Sequence, residues 1–343
     1  MFDFDLLKNL ACACAPSGFE SSVCEIIISR LRNAGIRASL SPDGSVAVVI
    51  PSGTSSSGKL MLQAHTDEVG FMVKSHTDSG FLKLAPLGIR DSRLLTGRRV
   101  TVMGKNGPLH GFIGAVPIHL SKDGKKIPAY SDLYVDIGAE TKEEAEKLVR
   151  IGAFGCFEPN FEYFGSNNGY VKSKALSSRA ACAVLLETAR HFASHDNSLP
   201  YDLYFAFSPR GKLNLSGGSA LYSRLSPDAV ISLTAFEVPT DSSIVSQVGV
   251  AVPLLEEKYA LDPSLSLQLR SAFSSAELLY ETAPTSSKEE CEYDLIRLKS
   301  VGARLAEIKL PVKNRNTACE LMNIEMISSA SRTLISALSQ IKF

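Results

Sequence analysis

Lys59-Leu60-Met61-Leu62-Gln63-Ala64-His65-Thr66-Asp67-Glu68-Val69-Gly70 decides how this chain is read. The apolar run Leu60-Met61-Leu62 predicts a buried strand. It delivers His65 and Asp67, two residues apart, and stops at Gly70. Residues i and i+2 of a strand point to the same side. A histidine with a carboxylate beside it, at the end of a sheet strand, is how many zinc hydrolases begin a metal site. The rest of the chain does not supply the other ligands.

Upstream of this stretch, apolar Leu6, Leu7, Leu10 and Ala11 predict a helix over 2–15, broken at Pro16-Ser17-Gly18. A second helix runs from Ser21, as its cap, to about Gly35, with Val23, Ile26, Ile27 and Leu31 inward. Strands are expected at Arg37–Leu40 and Ser45–Ile50 around an Asp43-Gly44 turn. Alternation of helix and strand is the pattern of an α/β sheet with helices on both faces.

After Gly70 the texture changes. Short strand-like runs at 71–74, 81–84, 98–103, 109–115 and 134–137 are separated by Gly-containing turns. They predict a small β-barrel or sandwich inserted at 71–165, interrupted by one helix from Lys142 that Thr141 and Glu144 cap reciprocally. The α/β domain would then be discontinuous, 1–70 and 166–343. Its second part holds a long helix at Ser177–Ser194, strands at Leu203–Phe207, Ala229–Leu233 and Leu305–Leu310, and helices near 218–224, 289–301 and 323–340.

Composition narrows the class. A chain of 343 residues, 45% hydrophobic, can bury the cores of two domains. Lys+Arg and Asp+Glu both number 36, so no basic excess points to nucleic acid. No apolar run approaches the roughly 20 residues of a membrane span, and the N-terminal residues lack a positively charged leader. Seven scattered cysteines without a CxxC fit a reducing cytoplasm rather than a disulfide framework. Cys12-Ala13-Cys14 reads either as a ligand pair or as part of a core helix face; the helix face is the preferred reading.

The chain resembles the cytoplasmic metallo-aminopeptidases that include glutamyl aminopeptidase and the tetrahedral TET peptidases. The resemblance runs nearly end to end. It rests on APSGFE at 15–20, AHTDEVG at 64–70, GIRDSRLLTGRRVTV at 88–102, GFIGAVPIHL at 111–120 and DLYVDIGAETKEEAEKL at 132–148. It implies a zinc-peptidase-like α/β domain with an inserted β-barrel. It also implies two divalent metal ions, typically zinc or cobalt, held by two His and three carboxylates, with a separate Glu as general base. Two such cations polarise the scissile carbonyl and acidify a bridging water.

Carried over one position at a time, the resemblance keeps His65 as a ligand and Asp67 as the carboxylate that orients it. It places Ser177 at the bridging Asp, Ser208 at the general base, Pro209 and Ser232 at two further carboxylate ligands, and Asn316 at the second His. Serine and asparagine are neutral, weak zinc ligands. Proline has no side-chain donor. No His follows His195. The expectation is therefore a site without cofactor, in which His65 and Asp67 persist as a hydrogen-bonded remnant. Arg179, Arg210 and Arg315 lie beside the vacated positions in sequence. They suit either a small anion or, as the preferred reading, ordinary solvated or paired roles. Ser208 lies in Phe207-Ser208-Pro209, not in a GxSxG elbow, so serine catalysis is not favoured.

Two functions from different classes follow. One is a catalytically inactive binding or assembly protein, a homo-oligomer, alone or beside an active paralogue. The other is an active metallo-aminopeptidase with an atypical site, recruiting Glu237 or Asp241.

Overall fold

The computed structural model describes residues 2–53, 55–89, 91–114, 127–194, 199–213, 217–238, 249–256, 259–279 and 302–342. The helix expected at 289–301, with His119, His195, Asp241 and Cys291, lies outside the described residues.

Asp3 accepts from the Leu6 N–H and starts α1 (Phe4–Cys12), whose Leu6, Leu7, Leu10 and Ala11 are buried together. Helix α2 (Ser21–Asn33) buries Val23, Cys24, Ile27 and Leu31. Its cap residue is Glu20, not Ser21, and the Glu20 carboxylate turns away to the N–H groups of Gly18 and Arg210. Residues 37–40 form no strand, only a single bridge between Leu40 and Val46. The Arg32 guanidinium takes the Ala38 carbonyl that a strand neighbour would need.

Strands β1 (Val46–Ile50) and β2 (Lys59–His65) lead to β3 (Gly70–His76), β4 (Leu82–Leu87), β5 (Arg99–Gly104), β6 (Gly107–Gly114), β7 (Tyr134–Asp136) and β8 (Phe154–Phe157). The last six close a barrel in the order β3-β4-β7-β6-β5-β8. Phe71, Val73, Leu82, Val100, Val102, Ile113 and Val135 fill its interior. Helix α3 (Lys142–Leu148) lies between β7 and β8. Thr141 accepts from the Glu144 N–H, while Glu144 reaches the Glu140 N–H rather than that of Thr141.

Strands β9 (Glu162–Phe164) and β10 (Tyr170–Ser173) precede α4 (Leu176–Ser194), β11 (Asp202–Ser208), α5 (Gly217–Leu225) and β12 (Ala229–Glu237). A short hairpin, β13 (Leu255–Glu256) and β14 (Tyr259–Ala260), is followed by α6 (Pro263–Ser275), β15 (Leu305–Val312), β16 (Glu320–Asn323) and α7 (Ile324–Leu338). The main sheet runs β1-β11-β2-β12-β15, parallel except for β1, and β9 pairs with β10 and β16 in a separate small sheet.

Strand alternation sorts the main sheet's faces. Leu62, Ala64, Phe205, Phe207, Ile231 and Leu233 turn toward α1, α4 and α7. Met61, Ala206, Val230 and Leu305 turn the other way and pack with Leu221 of α5. The chain therefore has helices on both faces of an α/β sheet and a closed barrel, the fold class expected from sequence.

Candidate functional site

His65 belongs to the α5 side of the sheet, at the carboxyl ends of the parallel strands. This is where an α/β sheet places its sites. The register aligns Ser208 with His65, and Ser232 with Gln63 on one side and Glu307 on the other. Ser208, Pro209 and Ser232 are all buried. The Ser208 carbonyl accepts from the N–H and hydroxyl of Thr66, which ties the ends of β11 and β2 together. Pro209 packs against Gly44 and Gly217. Beyond Ser232, the Thr234 hydroxyl donates to Glu307 at 2.7 Å, and Glu307 pairs with Lys309 at 3.6 Å.

Asp67 holds the strand end in place. Its Oδ1 lies 3.0 Å from His65 Nδ1 and accepts from the Gly211 N–H at 2.9 Å, while Oδ2 accepts from the Lys212 N–H at 2.7 Å. Burial alone would raise this carboxyl. The bond and charge of His65 and the Lys212 N–H outweigh it and hold Asp67 well below the ordinary carboxylate range. The same loop serves Glu20, which accepts from the Arg210 N–H at 2.8 Å. Burial, with the Asp67 charge adding to it, pushes Glu20 up against the pull of those N–H groups. Arg210 enters this arrangement through its backbone, at φ +63°, with its side chain exposed. A Cβ at Gly211 would stand 3.1 Å from both Asp67 Oδ1 and His65 Cβ, so the loop approaches the pair closely.

Ser177 and Asn316 are brought together by a third residue, Glu320. The Ser177 N–H donates to Glu320 at 2.6 Å, its hydroxyl at 3.0 Å, and the Asn316 N–H at 2.6 Å. Burial raises the Glu320 carboxyl, and these donors and the Lys212 ammonium only partly offset it. Ser177, Asn316, Glu320, Lys212, Glu68 and Lys174 line a crevice too narrow to admit a water molecule. Sequence reasoning named neither Lys212 nor Glu320 as a site residue. A Glu on the buried face of a strand with alternating burial was the available signal.

Arg179 is not a wall of this crevice. It is fully buried, donating to the Leu10 carbonyl at 3.0 Å and to Glu68 at 3.3 Å. Lys174 meets both oxygens of the same carboxylate at 2.7 Å. Arg315 donates its N–H to Glu237, as Asn314 does, so Glu237 is engaged with the 314–315 backbone and not turned into the site as a substitute ligand. His76 binds the Val149 carbonyl, His110 pairs with Glu158, and His191 packs edge-on against Phe192. Cys12 ends α1 half-buried and Cys14 lies beyond it, so neither belongs to the helix's core face.

These donors do not fit a pair of divalent ions. His65 gives one ring nitrogen to Asp67, and the aligned positions otherwise offer two buried serine hydroxyls, a proline, a third serine committed to Glu320 and an asparagine. Structural zinc takes about four ligands from His, Cys or carboxylate, and catalytic zinc about three. Among the described residues no three such side chains are grouped to hold an ion.

Comparison with known proteins places the chain. The M42 glutamyl aminopeptidase family profile matches residues 44–332. The putative aminopeptidase FrvX of Escherichia coli K12 is 30% identical, over 86% of this chain and 84% of its own. The TET aminopeptidase of a marine sediment thaumarchaeon superposes with a TM-score of 0.89 at 23% identity, covering 99% of this chain and 97% of that one. The Pyrococcus horikoshii TET1 peptidase, which can assemble into a tetrahedron or a large octahedral shell, superposes at 0.84 with 24% identity and 98% of each chain covered. The chain belongs to the M42 glutamyl aminopeptidase family.

Proposed function

We propose that this chain is a catalytically inactive member of its family, a peptidase-shaped scaffold that binds or assembles in the cytoplasm. The donor set carries this reading: one histidine, neutral or donor-free side chains at the other ligand positions, and Ser208 where the base belongs. The replacements are consistent as a group. Several carboxylates clustered around absent cations would repel one another and suffer desolvation. The carboxylates still buried beside these positions are each held by donors, Glu320 by three from Ser177 and Asn316 and Asp67 by His65 and two N–H groups.

Assembly as a homo-oligomer, alone or with an active paralogue, follows from what the TET1 relative does. A peptide or small anion is the proposed ligand class, met by the exposed Arg210 side chain and not inside the crevice. The test is hydrolysis of peptides with free amino termini by the pure chain, supplied with zinc or cobalt. No turnover is expected. Turnover abolished both by a chelator and by His65→Ala would overturn the proposal.

A further inference from the structure

Strand β9 is an uncovered edge. The small sheet runs β16-β10-β9, so β9 pairs with β10 on one side and with no described strand on the other. All three of its residues are exposed, Tyr163 at 49% and Phe164 at 50%. Directly opposed residues of a strand pair share a face. Tyr163 stands opposite buried Val171, and Phe161 on the same face meets its ring edge-on at 5.9 Å. Phe161 in turn packs on the main core, so Tyr163 marks where that core runs out to the margin of the sheet. Phe164 opposes Tyr170 on the other face, where Tyr170 and Leu321 pack on Val238. Glu162 opposes Lys172 on that face and pairs with it at 2.9 Å. Both faces therefore carry an aromatic ring out to the free edge.

A free edge presents main-chain N–H and C=O groups that another strand satisfies, and proteins that keep an edge unpaired protect it with a bulge, a proline or a charge. Strand β9 keeps a regular register, holds no proline, and has its one charge neutralised by Lys172. We propose that β9 is a contact between copies of this chain: it pairs antiparallel with β9 of a second copy about a two-fold axis at Tyr163, fusing two three-stranded sheets into one. This gives a surface to the assembly described under the proposed function, and rests on that half of it. Self-pairing is compatible in charge. With Tyr163 on the axis, Glu162 stands opposite Phe164 of the second copy, so the two carboxylates do not face each other and each keeps its own Lys172. A two-fold axis uses one patch twice, so the Tyr163 and Phe164 rings of both copies are covered together. A peptide is the poorer occupant, because three residues offer it few main-chain bonds and only a second copy brings the matching rings.

The full chain is sized by analytical ultracentrifugation, beside Phe164→Lys and Tyr163→Cys. Phe164 is half in solvent, so Phe164→Lys should keep the circular dichroism of the fold while raising the dissociation constant of the contact about tenfold or more. Tyr163→Cys should give, on mild oxidation, a dimer linked at position 163 in both copies, absent from wild type and lost on reduction. A wild-type chain that sediments as a monomer, its edge left to a peptide, would overturn the proposal together with the assembly. An assembly that Phe164→Lys leaves equally tight, or that Tyr163→Cys does not link, would overturn the role of β9 alone. Neither outcome depends on whether the chain hydrolyses peptides.

Discussion

Asp67 is one of the most heavily bonded carboxylates among the described residues. Three donors converge on it: the His65 ring and the N–H groups of Gly211 and Lys212. Asp67→Ala orphans them in a dry site, and urea unfolding should show a loss of about 3 kcal/mol. The pH dependence has a definite sign. Asp67 is depressed in the fold, so its stabilisation is complete above its unfolded value of about 3.9 and is lost as pH falls below it. Glu320 is raised, so its contribution is complete below about 4.3 and is lost as pH rises through its folded value. Glu320→Gln should therefore flatten the decline just above pH 4.3, leaving the acid limb to Asp67; an unchanged decline would remove Glu320 from the account. Glu68→Ala, which strands Lys174 and Arg179, should cost about 3–5 kcal/mol. Arg179 also marks where sequence stops being readable. It stands two residues from Ser177 on α4, about 200° around the helix, so its guanidinium does not join Ser177 at the crevice but bonds to Leu10 and to the Glu68 carboxylate behind the crevice wall. Arg210 shares the loop with the site, but its backbone conformation turns only its N–H inward.

At the scale of elements, the strongest signals were apolar runs with clear bounds. LMLQAH and the runs at 203–207, 229–233 and 305–310 became successive parallel members of one sheet because each is buried on both faces. Strand β8 was missed because four residues starting beside glycines give no period to count, and β9 because all three of its residues are exposed. Helix α6 was legible and overlooked: Asp262 caps it and Pro263 opens it. The converse error, a strand at 37–40, overlooked that a strand also needs a free partner. Where β3 leaves the sheet, Gly70 has no room for a side chain. Gly70→Ala should cost about 2 kcal/mol by overpacking against Gly155 and Pro16. A thermal melt unchanged from wild type would mean that the segment at Pro16 is looser than its contacts imply.

At the scale of the whole molecule, the family's architecture is retained, and the proposal is that the chemistry at its strand ends is altered. The sheet, the covering helices and the barrel depend on hydrophobic pattern, which survives as long as apolar faces stay apolar. A metal centre depends on a handful of side chains that contribute little to that pattern. A chain can therefore exchange most of its ligands without changing fold, and similarity over the whole length reports the scaffold rather than the activity. Metal stoichiometry separates the two most directly. The pure chain is incubated with zinc or cobalt, dialysed extensively and assayed by elemental analysis. A non-catalytic scaffold predicts close to no bound metal per chain. About two ions per chain, the complement of a dinuclear hydrolase, would contradict the assignment of Ser177, Pro209, Ser232 and Asn316 to the ligand positions and restore the peptidase.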